Sequence, residues 1–187
     1  LVICPSSLKI NWQREWEKFT DHKALILDNA TKTTWPYLLK MRMFDVAVVN
    51  YESLRKYFVW DTNGRNFRLK DVVFNPFIKQ FKSVIIDESH RVKDPTAQQS
   101  IFAKGISAGK EYILLLSGTP VVNRPADLIS PLSIMERLKE FGGRQAFLGR
   151  YGGGEKKEMG KRQQDDDEPR NLDELSRKLY VSIHAPT

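Results

Sequence analysis

The 187-residue chain has a single cysteine, Cys4, and three histidines, His22, His90 and His184. One thiol excludes an internal disulfide and a cysteine-rich zinc site. Three scattered histidines with no cysteine pair leave too few ligands for an ordinary zinc hydrolase centre. No stretch approaches the roughly 20 apolar residues of a membrane-spanning helix, and no charged-then-apolar signal-peptide pattern is seen. A soluble, intracellular protein with no membrane partner is the expectation. An initiator methionine is also missing. Leu1 already lies inside an apolar run, and His184-Ala185-Pro186-Thr187 directly follows a helical pattern. The chain is therefore expected to be a piece of a longer protein.

What is present is enough for a sizeable core. Hydrophobic residues make up 41% of the chain, and Lys+Arg 30 against Asp+Glu 23 gives +7, a balance that favours a polyanionic partner. Leu1-Val2-Ile3-Cys4, Ala24 to Leu27, Asp45 to Asn50, Ser83 to Ile86 and Tyr112 to Leu116 are short, near-continuous apolar runs. They alternate with helical patterns, which predicts an α/β protein with a parallel sheet covered on both faces. Leu8, Trp12, Trp16 and Phe19 form one apolar face at helical period, with Ser6 or Ser7 placed to cap that helix. Thr34-Trp35-Pro36 opens a short helix. Asp61-Thr62-Asn63-Gly64 signals a hairpin turn, Thr96 to Ile106 reads as helical, and Ala126 to Leu138 reads as a helix interrupted at Pro131. Gly142 to Asn171, with glycine clusters and the charge run Lys156 to Glu168, reads as a mobile loop. Leu172, Leu175, Leu179 and Ile183 make a last amphipathic helix.

In such a sheet the site lies beyond the carboxyl ends of the strands. Alternation alone predicts that Pro5-Ser6-Ser7, Asn50-Tyr51, Asp87-Glu88 and Ser117-Gly118-Thr119 share one rim. Asp87 and Glu88 stand where a buried strand emerges. One reading is a metal-holding carboxylate beside one that orients a water; the other is that two acids merely mark a strand end. The residues alone do not choose between them.

The ordered set of motifs adds a resemblance. Leu1-Val2-Ile3-Cys4-Pro5-Ser6-Ser7-Leu8, then Asn11-Trp12 and Glu15, resembles the first nucleic-acid motif of Swi/Snf-type DNA-dependent ATPases of helicase superfamily two. Asp45 to Glu52 looks like their next segment. Val84-Ile85-Ile86-Asp87-Glu88-Ser89-His90-Arg91-Val92-Lys93 looks like the Walker B motif, and Leu114 to Pro120 with Asn123 and Asp127-Leu128 like the third motif. The match runs from residue 1 to about residue 150. It implies a RecA-like, P-loop NTPase-type sheet truncated at its N-terminus. Residues 1–141 would be part of the first lobe, 142–171 the mobile loop, and 172–187 the lobe's last helix. A second RecA-like lobe of the same protein would be a partner.

By resemblance, Asp87 would help hold Mg²⁺ on ATP, Glu88 would polarise the attacking water, and His90 would couple the nucleotide site to the third motif. Ser117, Gly118 and Thr119 would relay nucleotide state. Pro5, Ser6, Ser7, Asn50 and Tyr51 would track the backbone of double-stranded DNA without reading its sequence. Plainer readings stand beside these: a loop hydrogen bond for His90, turn chemistry for Ser117 and Thr119, helix capping for Ser7. The implied location is the cytoplasm or nucleoid of a bacterium, or a eukaryotic nucleus.

The pattern departs from the family in one large way. No Gly-x-x-x-x-Gly-Lys-Ser/Thr occurs, and Gly149, Gly152, Gly153 and Gly154 with Lys156 and Lys157 have the wrong spacing for a phosphate loop. In the family that loop lies upstream and its strand lies inside the sheet. The expectation is therefore an exposed or disordered sheet edge, with the strand at 112–116 most affected, and no ATPase activity in these residues alone. Ser89 and Asp94 are smaller departures, where alanine and asparagine are commoner. The rival reading is a catalytically dead DNA-binding or scaffolding module that kept the fold; a metal hydrolase using Asp87, Glu88 and His90 is a weaker third.

Overall fold

A computed structural model describes residues 1–64, 67–118, 124–152 and 169–184. In chain order these form β1 (Val2–Cys4), α1 (Lys9–Phe19), β2 (Ala24–Ile26), α2 (Trp35–Lys40), β3 (Val46–Asn50), α3 (Leu54–Phe58), β4 (Val59–Thr62) and β5 (Val72–Phe74). They continue with β6 (Ser83–Ile86), α4 (Gln98–Ser107), β7 (Tyr112–Leu115), α5 (Ile129–Ile134), α6 (Gly143–Tyr151) and α7 (Leu172–His184). The five apolar runs pair in parallel as one sheet in the order β2-β3-β1-β6-β7.

Successive strand residues point to opposite faces, so a run that is apolar throughout must be covered twice. On one face Val2, Cys4, Ala24, Val46 and Val48 receive Leu8, Trp12 and Trp16 at and along α1. On the other, Ile3, Ala47, Val49, Val84 and Ile86 join Trp35, Leu54, Phe58, Phe102 and Ile106 in the main core. Trp35 anchors that core, with its ring 5.6 Å from Phe58 and 5.9 Å from Phe77, both edge-on. β4 and β5 form a separate antiparallel pair that packs at the side of α4. Gly105 of α4 allows a close approach there, because a Cβ on it would stand 2.1 Å from the end of the Phe74 ring and the ring would have to shift.

A second cluster, Ile129, Leu132, Phe141, Phe147, Tyr151 and Leu175, joins α5, α6 and α7. The Arg150 guanidinium holds Glu174 with Nε–Oε1 2.9 Å and Nη2–Oε2 2.6 Å, and Tyr151 Oη donates to Oε1 at 3.0 Å. The Ser130 hydroxyl donates to the Val92 carbonyl, tying α5 to the loop after β6.

Several expectations need correction. Phe19 is 73% exposed and is not packed against the sheet; the Lys18 ammonium lies 4.9 Å from its ring centre. Ser6 and Ser7 do not cap α1; they form a 3-10 turn, Ser6–Leu8, with no side-chain cap bond. Pro131 sits in the first turn of α5, where its missing N–H costs nothing, and the helix stops beyond Ile134 with Glu136 at φ 60°. Residues 142–171 do not begin as a loop. α6 occupies Gly143–Tyr151 and buries Phe147 and Tyr151; the charge run from Lys156 lies outside the described residues.

The two edges of the sheet differ. At β2 the outward backbone of Ala24 is met by α1: Gln13 Nε2 donates to its carbonyl at 2.7 Å and its N–H donates to Glu17 Oε1 at 3.2 Å. The Ile26 carbonyl takes the Thr31 hydroxyl at 3.2 Å. β7 has no such cover among the described residues. It is formed, and it leaves Tyr112 57%, Leu114 45% and the following Leu116 38% exposed.

Candidate nucleotide site and DNA-facing rim

The strand register places the predicted segments together. Cys4 pairs with Asn50, Ile3 with Ile86, and Ile86 with Leu115, so β3, β1, β6 and β7 end at one level. Pro5–Ser7, Asn50–Tyr51, Asp87–Glu88 and Ser117–Gly118 continue from those ends along one rim. Thr119 lies outside the described residues.

Asp87 is held at four atoms. Its N–H donates to the Ile3 carbonyl at 2.8 Å, extending the ladder one residue past β6. Trp12 Nε1 donates to Oδ2 at 2.8 Å, and the Glu88 N–H donates to Oδ1 at 2.9 Å. The Tyr51 hydroxyl donates to the Asp87 carbonyl. The carboxylate charge is felt around it. Burial first, and then Asp87, push the Cys4 thiol up to about 12, against the opposing charge of Lys9. Burial and then Asp87 also push the Tyr51 phenol up, and Arg91 offsets part of this. Both shifts favour the neutral form, and the Tyr51 hydroxyl serves as a donor.

Glu88 is treated differently. Its backbone is left-handed, φ 52° and ψ 51°, which costs a non-glycine residue about 1–2 kcal/mol. The ladder to β1 ends at Asp87, and the chain turns sharply to enter the 3-10 segment Ser89–Val92. The Glu88 carboxylate is partly exposed, with Oε2 3.2 Å from His90 Nδ1. His90 itself is exposed and bonds to Glu88. Among the described residues this loop meets the end of the third-motif strand through the Ser89 N–H, which donates to the Leu116 carbonyl at 2.8 Å.

The DNA-facing candidates divide. Ser6 and Ser7 are exposed and Pro5 is half-buried at the start of the 3-10 turn. Asn50 is 8% exposed and Tyr51 1%, so neither side chain faces solvent. They brace the acidic loop. Asn50 Nδ2 donates to Glu52 Oε2 at 2.8 Å, and Arg91 Nη2 donates to Glu52 Oε1 at 3.2 Å. The Arg91 guanidinium also lies 5.1 Å from the centre of the Tyr51 ring. The Asn50 bond above all holds the Glu52 carboxyl below its usual range.

This donor set fits Mg²⁺, which binds through one or two carboxylates plus phosphate oxygens and water. Each oxygen of Asp87 accepts one hydrogen bond and keeps acceptor capacity, and no cation pairs with it among the described residues. No group of three or more His, Cys, Asp or Glu converges among those residues to cage a metal. The fit for the phosphates is half-made, because the sequence has no glycine-rich Gly-Lys-Ser/Thr loop.

Two contacts were not read from the sequence. Trp12 registers there as a motif position and an apolar contact, and its N–H finds a partner 75 residues away. The signal available was general: a partly buried indole usually finds an acceptor. Glu52 as the link between Asn50 and Arg91 carried no signal at all.

Comparison with known proteins agrees with this geometry. The SNF2-related domain model matches residues 1–181. A Caenorhabditis elegans homologue of the SWI/SNF-related matrix-associated actin-dependent regulator of chromatin subfamily A-like protein 1 is 27% identical, over 81% of this chain and 19% of its own length. The DNA repair protein RAD5 of Debaryomyces hansenii is 30% identical, over 73% of this chain and 12% of its own. The human DNA annealing helicase and endonuclease ZRANB3 is 29% identical, over 96% and 16%. The Sulfolobus solfataricus SWI2/SNF2 ATPase core, solved in complex with dsDNA, matches with a TM-score of 0.54 at 24% identity, over 80% of this chain and 27% of that one. The chain thus spans less than a fifth of the length of these curated relatives. It belongs to the SNF2-related domain family of helicase-like ATPases, and its five-stranded parallel sheet has the RecA-like fold of that ATPase core.

Proposed function

We propose that this chain is the Walker B half of the first motor lobe of an ATPase that couples ATP hydrolysis to movement along double-stranded DNA and remodels protein–DNA complexes. The observation that carries the reading is adjacency. The tied carboxylate of Asp87 ends β6, and the exposed Pro5–Ser7 turn ends β1 beside it.

Asp87 would hold Mg²⁺, which when bound neutralises charge on the nucleotide's phosphates. Glu88 would orient the attacking water and take its proton, a role open to a carboxylate held to one side of Asp87. His90, 3.2 Å from Glu88, would fix that carboxylate's position. Ser89, bonded to the Leu116 carbonyl, would pass changes in the acidic loop to Ser117, Gly118 and Thr119. Ser6 and Ser7 would meet the DNA backbone, with Asn50 and Tyr51 acting from within to brace the loop. Contacts of this kind carry no base information and weaken steeply with salt. A second lobe of the same protein would complete the site. These 187 residues by themselves, with no phosphate loop, would turn over no ATP.

The test is hydrolysis by the intact protein with and without duplex DNA of unrelated sequences, over a range of salt. Stimulation by every duplex, fading with salt, is expected; sequence-selective stimulation or none would contradict the reading. The scaffold alternative would bind the same DNA with no turnover.

A further inference from the structure

Two tryptophans lie four residues apart on α1, and the structure treats them unequally. Trp12 and Trp16 are both partly buried and both pack against the cluster formed by Val2, Cys4, Ala24, Val46 and Val48. Trp12 donates its indole N–H to Asp87 Oδ2 at 2.8 Å. The indole nitrogen of Trp16 is buried and has no hydrogen-bond partner among the described residues. The packing explains why a large ring stands at either position. It does not explain why one ring is aimed at a carboxylate 75 residues away.

Trp12 also stands between two surfaces. α1 follows directly on the 3-10 turn Ser6–Leu8, whose Ser6 and Ser7 form the exposed part of the rim. The bond from Trp12 therefore joins the helix behind that turn to an oxygen of Asp87. We infer that Trp12 is a positioning residue: it sets the orientation of the Asp87 carboxylate and makes that orientation depend on how α1 and the Pro5–Ser7 turn are seated by DNA. This rests on the reading of Asp87 as the magnesium-holding carboxylate. A carboxylate turns easily about its last bond, and Mg²⁺ tolerates little departure from octahedral geometry. On Oδ1 the constraint is local, from the Glu88 N–H. On Oδ2 it comes from α1. A hydrogen bond weakens steeply with angle, so a small shift of the helix is enough to loosen one side of the carboxylate.

The matched pair supplies the experiment, made in the intact protein. Trp12→Phe and Trp16→Phe remove the same atoms from the same helix and face, but only the first removes a bond. Binding of a fluorescent ADP is followed as Mg²⁺ is titrated, with and without duplex DNA. Trp12→Phe should raise the Mg²⁺ midpoint about tenfold, the scale of one hydrogen bond to a charged group, and should shrink the shift that DNA produces. Trp16→Phe should move the midpoint by less than about twofold, since no bond is lost. A benzothienyl analogue of tryptophan placed at position 12 keeps the ring's bulk and lacks the N–H, so it should behave as Trp12→Phe does even if the smaller ring harms folding. Equal shifts in the two variants, no shift at position 12, or an analogue that behaves like wild type would overturn the inference while leaving the ATPase reading intact. A wild-type protein with no magnesium-dependent nucleotide binding would overturn the ATPase reading, and the inference with it.

Discussion

The two edges of the sheet make an instructive contrast. β2 is a finished edge. It is short, and its outward backbone groups are met by Gln13, Glu17 and Thr31. β7 is of similar length and has bare apolar residues, Tyr112 and Leu114, with no side chain from the described residues on its outer backbone. Native sheets blunt their edges with charge, short strands or cover. An apolar, uncovered edge is the signature of a strand that normally has a neighbour. By the resemblance a phosphate-loop strand would lie inside such a sheet, and a strand paired with β7 would cover Tyr112 and Leu114. The strand at 112–116 was expected to suffer most. It is exposed, as expected, and it is nonetheless formed, because its ladder to β6 runs from Ser83–Tyr112 through Ile86–Leu115.

The largest effect should come from giving β7 a neighbour. Joining these residues to an added segment that carries a glycine-rich phosphate loop and its strand should raise nucleotide binding, read by calorimetry, and should bury Leu114. No gain in binding would break the comparison. Next, amide hydrogen exchange should separate the edges directly. The Ala24 N–H, bonded to Glu17, should exchange about tenfold or more slowly than the outward amides of Ile113 and Leu115. Uncapping β2 is a smaller change. Gln13→Ala or Glu17→Ala should each cost about 0.5–1.5 kcal/mol in chemical denaturation, and only Glu17→Ala should strip the Ala24 amide of its protection. Leu114→Lys, at 45% exposure, should change stability by less than about 0.5 kcal/mol and reduce self-association on a sizing column.

The smallest effect is a control far from both edges. Arg150 first, then Tyr151 and Lys178, hold Glu174 down to about 2 from its ordinary 4.5. A carboxyl whose folded value is depressed stabilises above its unfolded value. The tie from α6 to α7 is therefore complete at neutral pH and is lost as pH falls from about 4.5 towards 2. Acid titration followed by helical signal should loosen α7 over that window, and Glu174→Gln should remove the dependence.

Much of this arrangement was legible in the sequence, for reasons that can be named. Short β-branched runs such as Val46–Asn50 and Ser83–Ile86, apolar on both faces, allow few alternatives to a covered parallel sheet, and parallelism alone brings their ends to one rim. What lay beyond reading was side-chain direction at those ends. Asn50 and Tyr51 look like rim residues in sequence, but the 3-10 turn Tyr51–Ser53 folds Tyr51 inward onto the Asp87 carbonyl. His90 follows the left-handed turn at Glu88 and meets the carboxylate two residues before it. Phe19 keeps the helical period yet is left exposed. Periodicity reports which face a residue occupies; it does not report how far the opposing surface extends.

The central claim is that Asp87 and Glu88 belong to a working ATPase site of which these residues supply one half. The most direct measurement is ATP hydrolysis on duplex DNA by the intact protein, its Glu88→Gln variant and the 187-residue chain, side by side. The account predicts DNA-stimulated turnover by the intact protein, a fall of about 10²-fold or more in Glu88→Gln, and none by the chain alone. Full turnover by Glu88→Gln, or robust DNA-stimulated hydrolysis by the chain itself, would contradict it.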